Sequence, residues 1–262
     1  MKPIRKVLIK KEKKEHIAEL NRDVVISKEK AYFVEDLTKD FHTADGVISK
    51  ADLKKKDGSE IATNTGKKFC IFTSGFMDDY KRIAREAQII SLKDIAAIIA
   101  KTGINKNSVV VDAGAGSGAL ACFLAHLCKE VITYDIREDF LKIVKRNKEF
   151  LNLNNLKIKN KDIYNGIDEK DVDLITLDLP SPWNAIKSAY AALKVGGFVI
   201  SYSPSVPQMM DFVNVINKDE RFIHVKTIEI IEREWEVDER KVRPKTKGIG
   251  HTGFLSFCRK IK

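Results

Sequence analysis

Apolar and polar positions follow two different rhythms along this chain. Up to about residue 73, short runs rich in β-branched and aromatic residues stand between turn signals. The runs are KVLIKK, DVVIS, AYFVED, GVISKADL, SEIATN and KKFCIFTS; the turns are Ala44-Asp45-Gly46, Lys56-Asp57-Gly58 and Asn64-Thr65-Gly66. This spacing predicts short antiparallel strands, a small curled β sheet or barrel over 1–73, with a loose linker through Gly75. From about residue 78 helical and strand periods alternate. DDYKRIAREAQII and SLKDIAAIIAKTG carry apolar residues at helical spacing, and Gly103 caps the second. SVVVDAG, VITYDI, LKIKNKDI, VDLITLDL and GFVISYS read as strands. SGALACFLAHLC, EDFLKIVKRNKEFL, SPWNAIKSAYAAL and VPQMMDFVNVINK read as helices. The order predicts an α/β domain over 74–262, a parallel doubly wound sheet with helices on both faces. Two long strands, FIHVKTIEIIEREWEV and HTGFLSFCRK, end the chain around a basic loop, DERKVRPKTKGIG.

Composition narrows the class. The 262 residues suffice for one large domain and a small companion, and 44% hydrophobic with 32% charged residues fits a soluble globular protein. No run approaches the roughly 20 apolar residues of a membrane span, and the basic N-terminus lacks the apolar centre of a secretory signal. A cytoplasmic location is therefore expected. The net charge of +10 favours a polyanionic partner, because Lys and Arg neutralise phosphates, although solubility alone also accommodates it. Cys70, Cys122, Cys128 and Cys258 form no CxxC pair, so no metal site is expected and the thiols read as reduced core residues.

The chemistry concentrates in VVVDAGAGSGAL, residues 109–120. An apolar strand enters a turn carrying Gly114, Gly116 and Gly118, and a helix starts at once. Such glycines let a ligand approach main-chain N–H groups at the carboxyl ends of parallel strands. Asp135, ending the next strand, is placed to accept both hydroxyls of a ribose. Gly114, Gly116 and Ala119 also satisfy GxGxxA, so a nicotinamide dinucleotide is the rival ligand. Three features favour S-adenosylmethionine. Asp112, inside the strand, would meet a charged amino-acid end. Asp162, after the third strand, would accept from an exocyclic amine, or else cap a turn. The fourth strand ends in DLPSPW, where Asp178 would face an amine or ring nitrogen, or else cap the following helix; its two prolines stiffen the segment.

Several segments, in order, resemble the archaeal and bacterial tRNA adenine-N1 methyltransferases, the TrmI family. They are DFHTADGVISKADL, QIISLKD (88–94), VDAGAGSGAL, DLPSPW, YSPSVPQ (202–208), EREW and VRPKTKGIGHTGFLSFCR. The glycine loop is general to methyltransferases; DLPSPW joined to YSPSVPQ and GHTGFL is far more specific. The resemblance implies a Rossmann-like class I methyltransferase with a seven-stranded sheet whose last strand runs antiparallel, beside a small N-terminal β domain. It implies S-adenosylmethionine as cofactor, a homotetramer, and methylation of adenine 58 in the T-loop of tRNA, with archaeal members often also modifying 57. By motif, Gln88, Asp112, Gly114, Ala115, Gly116, Ser117, Gly118, Ala119, Leu120, Asp135, Asp162 and Ile163 would bind cofactor. Asp178 would be catalytic, Tyr202 would line the adenine pocket, and Arg243 and His251 would sit near tRNA. Ser91 stands where some bacterial relatives carry an aromatic. The target N1 lies on the pairing edge, so the base must be turned out at a cost of a few kcal/mol. The basic runs 2–14 and 240–247 are nominated to offset this through phosphate contacts. The competing functions are a nicotinamide-dependent oxidoreductase, a non-catalytic tRNA-presenting subunit, and a methyltransferase of another RNA or an amine.

Overall fold

Two compact units, Met1–Ile83 and Ala84–Lys262, make up the computed structural model, which describes residues 2–86, 88–238 and 241–262. In the first unit, four antiparallel strands pair in the order Lys30–Val34, Lys6–Lys10, Lys68–Thr73 and Ser59–Ala62. Alternation puts Leu8, Val34, Ile61, Phe69 and Ile71 on one face, where they close a core with Ile48 and Leu53. Two hairpins flank the sheet, Lys13–Ile17 with Arg22–Ser27 and Phe41–Thr43 with Gly46–Ile48. The 2–14 run is thus largely strand. Two of its cations are spent locally: Lys6 Nζ donates to Asp57 (2.5 Å) and Lys10 Nζ to Asp45 (3.5 Å). Asp45 also accepts from Lys30 (3.0 Å) and Tyr32 (2.8 Å), and these donors hold its carboxyl down at about 2.

In the second unit we label the strands β1 (Val109–Ala113), β2 (Glu130–Asp135), β3 (Leu156–Asn160), β4 (Val172–Leu177), β5 (Leu193–Ser203), β6 (Phe222–Glu229) and β7 (Phe254–Lys260). The helices are α1 (Leu92–Thr102), α2 (Ala119–Leu127), α3 (Glu138–Phe150), α4 (Ile186–Ala192) and α5 (Val206–Asn217). The sheet order is β3-β2-β1-β4-β5-β7-β6, with β7 antiparallel to both neighbours and every other pair parallel. This is the Rossmann-like methyltransferase sheet expected from the sequence. Its inner strands are apolar on both faces because helices cover both: Val111, Ile132, Ile175, Leu177 and Val199 share a core with Ile186 of α4 and Phe212 and Ile216 of α5. Burying a side chain such as Phe212 stabilises the fold by about 1.5–3 kcal/mol. After β3 the chain crosses β1 to form β4. The crevice at the carboxyl ends of β1, β2 and β4 is therefore the topological switch point, where such sheets take their ligands.

Three expectations about elements are corrected. The helix expected over DDYKRIAREAQII is only Phe76–Tyr80. Beyond it, backbone groups find partners outside a helix: Ala84 N–H donates to Asn147 Oδ1 (2.8 Å) and Glu86 N–H to Ser117 Oγ (3.0 Å). These bonds replace the intrahelical ones and hold 84–86, with Gln88, Ile89 and Ile90 beyond, as a strap along the glycine turn. The long strand FIHVKTIEIIEREWEV stops at Glu229, and Trp235–Asp238 pairs instead with Lys241–Pro244 in a hairpin. The basic loop is thus partly strand; its Arg240 lies outside the described residues. Finally, SPWNAIKSAYAAL opens with a tight turn of helix, Pro182–Ala185, before α4. Among the described residues, no helix is long and apolar enough to cross a membrane.

Candidate active site

The glycine turn is built for close approach. Gly114, Gly116 and Gly118 all adopt positive φ (86°, 49° and 74°), a region that L side chains rarely occupy. Space is as restrictive as conformation: a Cβ on Gly114 would lie 2.0 Å from the Asp178 carbonyl oxygen, and one on Gly118 would lie 3.0 Å from Val144. The N–H groups of Gly114 and Ala115 both donate to the Tyr134 carbonyl (3.1 and 3.3 Å), which fixes the turn to the end of β2. Asp178 N–H donates to the Ala113 carbonyl (2.9 Å), which fixes the tip of β4 to the end of β1.

A cavity of about 480 Å³ opens over this turn, within the range of roughly 300–1,000 Å³ for ligand pockets. Gln88, Gly114, Gly116, Asp135, Asp162, Ile163 and Asp178 all line it. Phe140, Tyr164 and Leu179, not singled out in the sequence, supply apolar walls. Asp135 is held by two main-chain donors, Gly116 N–H to Oδ2 (3.2 Å) and Arg137 N–H to Oδ1 (2.9 Å), and keeps lone pairs for a diol. Asp162 Oδ1 accepts from Tyr164 N–H (2.9 Å), capping a turn, and the residue also lines the cavity. Asp112, Ala115, Ser117, Ala119 and Leu120 lie deeper, around a cleft of about 30 Å³ that shares Gln88, Gly114, Gly116 and Asp178 with the larger cavity. Gly118 lines neither and instead lets α2 pack on Val144. The fit to S-adenosylmethionine rests on these groups: a turn without side chains for the sulfonium-bearing chain, acids at three strand ends for amine and diol, and apolar walls for a purine.

Two carboxyls here are pushed up by burial. Asp112 is 2% exposed and rises to about 6; each oxygen accepts one threonine hydroxyl, Thr133 and Thr176 at 2.8 Å, which partly offsets the loss of water. Asp178 rises to about 7, first through burial and then through repulsion by Asp112. Its carboxyl has no hydrogen-bond partner among the described residues. It caps no helix and faces the cavity, poised between acid and base near neutral pH.

The later motifs brace this tip. Gln208, on α5, donates to the carbonyls of Leu179 (2.7 Å) and Pro180 (3.0 Å) and so holds DLPSPW from behind. Tyr202 donates its hydroxyl to the Thr252 carbonyl (2.8 Å), and its ring lies against Gly253, where a Cβ would fall 2.6 Å from it. Burial and the nearby charges of Asp94 and Asp178 push Tyr202 up, which puts it within electrostatic reach of the acid. His251 reaches Glu229 through Nδ1 (2.6 Å) and the Pro204 carbonyl through Nε2 (2.8 Å). Both partners are acceptors, so the imidazolium form is favoured and its pKa is raised. Arg243 stands on the exposed hairpin, paired with Glu236 (3.0 Å), and lines neither cavity.

Sequence reasoning missed a buried knot beside Tyr202. Asp94 of α1 is fully buried and accepts from Ser91 Oγ (2.8 Å), Lys93 Nζ (2.8 Å) and Thr252 Oγ1 (2.9 Å), while Lys93 Nζ also donates to Thr252 Oγ1 (2.7 Å). The signal was an aspartate on the apolar face of SLKDIAAII, one residue before Ile95. Ser91 thus supports this knot.

Similarity to known proteins agrees with this geometry. The model of the tRNA methyltransferase complex GCD14 subunit family matches residues 81–247. The tRNA (adenine(57)-N(1)/adenine(58)-N(1))-methyltransferase TrmI of Methanocaldococcus jannaschii is 35% identical, over 88% of this chain and 91% of that protein. Among solved structures, tRNA (m1A58) methyltransferase TrmI from Aquifex aeolicus superposes with a TM-score of 0.76 at 25% identity, covering 100% of this chain and 99% of that one. A SAM-dependent O-methyltransferase from Thermotoga maritima superposes with a TM-score of 0.79 at 29% identity, covering 100% and 95%. The motifs that brace the tip of β4, the sheet order and the family match agree, and the chain belongs to the TrmI family of S-adenosylmethionine-dependent tRNA (adenine-N1)-methyltransferases.

Proposed function

We propose that this chain methylates N1 of adenine 58 in the T-loop of tRNA, and adenine 57 as well, using S-adenosylmethionine. One observation carries the reading: Asp178, raised to about 7, faces the cavity directly beside the glycine turn. The family match and the doubly modifying Methanocaldococcus relative support the substrate and the second position. The GxGxxA reading as a nicotinamide enzyme gives way to family membership, and the presence of both turn and acid argues against a non-catalytic subunit. The oxygen-directed name of the Thermotoga protein belongs to that protein and does not redirect the substrate here.

When bound, S-adenosylmethionine supplies an electrophilic methyl carbon on a sulfonium. The rest falls to the chain. Asp135 takes the ribose hydroxyls, Asp162 the exocyclic amine, and Ile163 with Phe140 the faces of the ring. Gln88, residues 114–117, Ala119 and Leu120 would enclose the amino-acid end, with Asp112 beneath it. Asp178 orients the target base through N6–H and stabilises the positive charge that develops as N1 is alkylated. Alignment of the two reacting centres is the larger contribution, roughly 7–11 kcal/mol of barrier. Tyr202 walls the base, and His251, Arg243 and the basic run 240–247 meet phosphates. The enzyme works in the cytoplasm as a homotetramer. The hairpin supports assembly, since Trp235 (53% exposed), Val237 (72%) and Val242 (55%) occupy its one apolar face with Pro244.

Unmodified tRNA transcript incubated with labelled donor, then mapped by mass spectrometry, should contain 1-methyladenosine at 58 and 57. Asp178→Ala should retain donor binding and lose most turnover. Methylation elsewhere, or near wild-type turnover by that variant, sinks the reading.

A further inference from the structure

Asn147 sits on α3, fully buried, and none of the chemistry above uses it. Its amide serves only main chain of other segments. Nδ2 donates to the Ala84 carbonyl (2.9 Å) and the Ser117 carbonyl (2.8 Å), while Oδ1 accepts from Ala84 N–H (2.8 Å). Beside it, Ser117 Oγ accepts from Glu86 N–H (3.0 Å). The two bodies joined are the glycine turn and the strap, whose Gln88 lines both cavities.

We propose that Asn147 is the positioning residue of the methyl-donor seat: it clamps the strap to the glycine turn and thereby sets the affinity for S-adenosylmethionine. The inference rests on the reading of the larger cavity as the donor's. The chemistry of the side chain is specific to the task. Only a carboxamide offers two donors and an acceptor from one planar group at this length. Aspartate keeps the acceptor for Ala84 N–H but turns an anion toward two carbonyls. Alanine leaves three main-chain groups without partners in the interior. Asn147 lines neither cavity, so it governs how the seat is held and not the transfer step once the seat is filled.

The test compares wild type with Asn147→Asp, Asn147→Ala and Glu86→Pro, the last removing the N–H from which Ser117 Oγ accepts, at a residue that lines neither cavity. Hydrogen–deuterium exchange of ligand-free protein reads the strap, calorimetry reads donor Kd, and steady-state kinetics separates KM from kcat. Exchange at 84–86 should accelerate while β1 and β4 stay protected. Losing buried hydrogen bonds should weaken donor binding by at least about tenfold in the Asn147 variants, and by less in Glu86→Pro. The kcat at saturating donor and the KM for tRNA should stay near wild type. Wild-type donor affinity in a folded Asn147 variant overturns the inference, as does a fall in kcat with donor affinity unchanged. If both Asn147 variants fail to fold, Glu86→Pro decides by the same readouts: faster exchange at 84 with weaker binding supports the clamp, and neither overturns it. Wild-type protein that binds no S-adenosylmethionine overturns the reading of the cavity and the clamp with it.

Discussion

Replacing Asp178 with asparagine should stabilise the ligand-free protein above neutral pH while stopping the reaction. In the fold this carboxyl holds its proton up to about 7, against the ordinary aspartate value of 3.8. Between those values the native state binds more protons than the unfolded chain, so this group's contribution to stability falls as pH rises. The penalty is absent below about pH 4 and complete above about pH 7. At about 1.4 kcal/mol per tenfold in proton affinity, the gap amounts to roughly 4 kcal/mol as a ceiling. Asp178 is partly open to water in the cavity, and screening should leave about half of that, ~2 kcal/mol. Urea unfolding of both proteins, without donor, measures this directly. The variant should gain at pH 8 and show no gain near pH 4. Equal gains at both, or a loss at pH 8, would refute the electrostatic account. Turnover should fall by a factor on the order of 10²–10⁴, since asparagine cannot act as base or carry the compensating charge.

The same carboxyl makes donor binding pH-dependent. A cation arriving beside Asp178 favours its ionised form by about 1–3 pKa units, so near pH 7 roughly half a proton should leave per site. Calorimetry in buffers of different ionisation heat reads that number, and zero release would contradict the placement. Gly114→Ala puts a methyl group 2.0 Å from the Asp178 carbonyl oxygen, and the tip of β4 must shift. Displacement of about 1 Å costs on the order of 10² in turnover, and a variant near wild-type rate would show that the turn and the acid are not in register. Thr252→Val removes the hydroxyl between Lys93 and Asp94. It should cost about 1–3 kcal/mol of stability and impair tRNA kinetics without altering donor Kd, and weakened donor binding would point to a different role. Asp45→Asn should remove a stabilisation that persists above about pH 4 and fades as pH falls toward about 2, visible as a flatter acid-unfolding profile.

The strands and helices of the second unit were legible because long apolar runs and helical periods report burial directly, and the acids at strand ends followed from that pattern. Other elements were set by partners far away in sequence. The sequence 78–90 has helical spacing, yet the Asn147 amide and the Ser117 hydroxyl offer the backbone of Ala84 and Glu86 better-placed bonds. The hairpin at Trp235–Asp238 reads as one strand with β6, since no Gly, Pro, Asn or Asp breaks FIHVKTIEIIEREWEV between them. DLPSPW, YSPSVPQ and GHTGFL could be recognised as a set, but their physical connection could not: Gln208 on Leu179 and Pro180, His251 on Pro204, and Tyr202 on Thr252. Asp94 was overlooked because one acid in an amphipathic helix looks like a surface residue until Thr252, 158 positions on, closes over it.

The contact between Gly114 and the main chain of Asp178 constrains how such an enzyme can diverge. On the proposed function, donor seat and reaction centre share the wall that this contact forms. A lineage shifting to a new acceptor cannot reshape the fourth-strand tip without disturbing the surface on which its methyl source rests. Change of specificity is thereby steered toward the hairpin, which lines neither cavity and where variation leaves the shared wall intact.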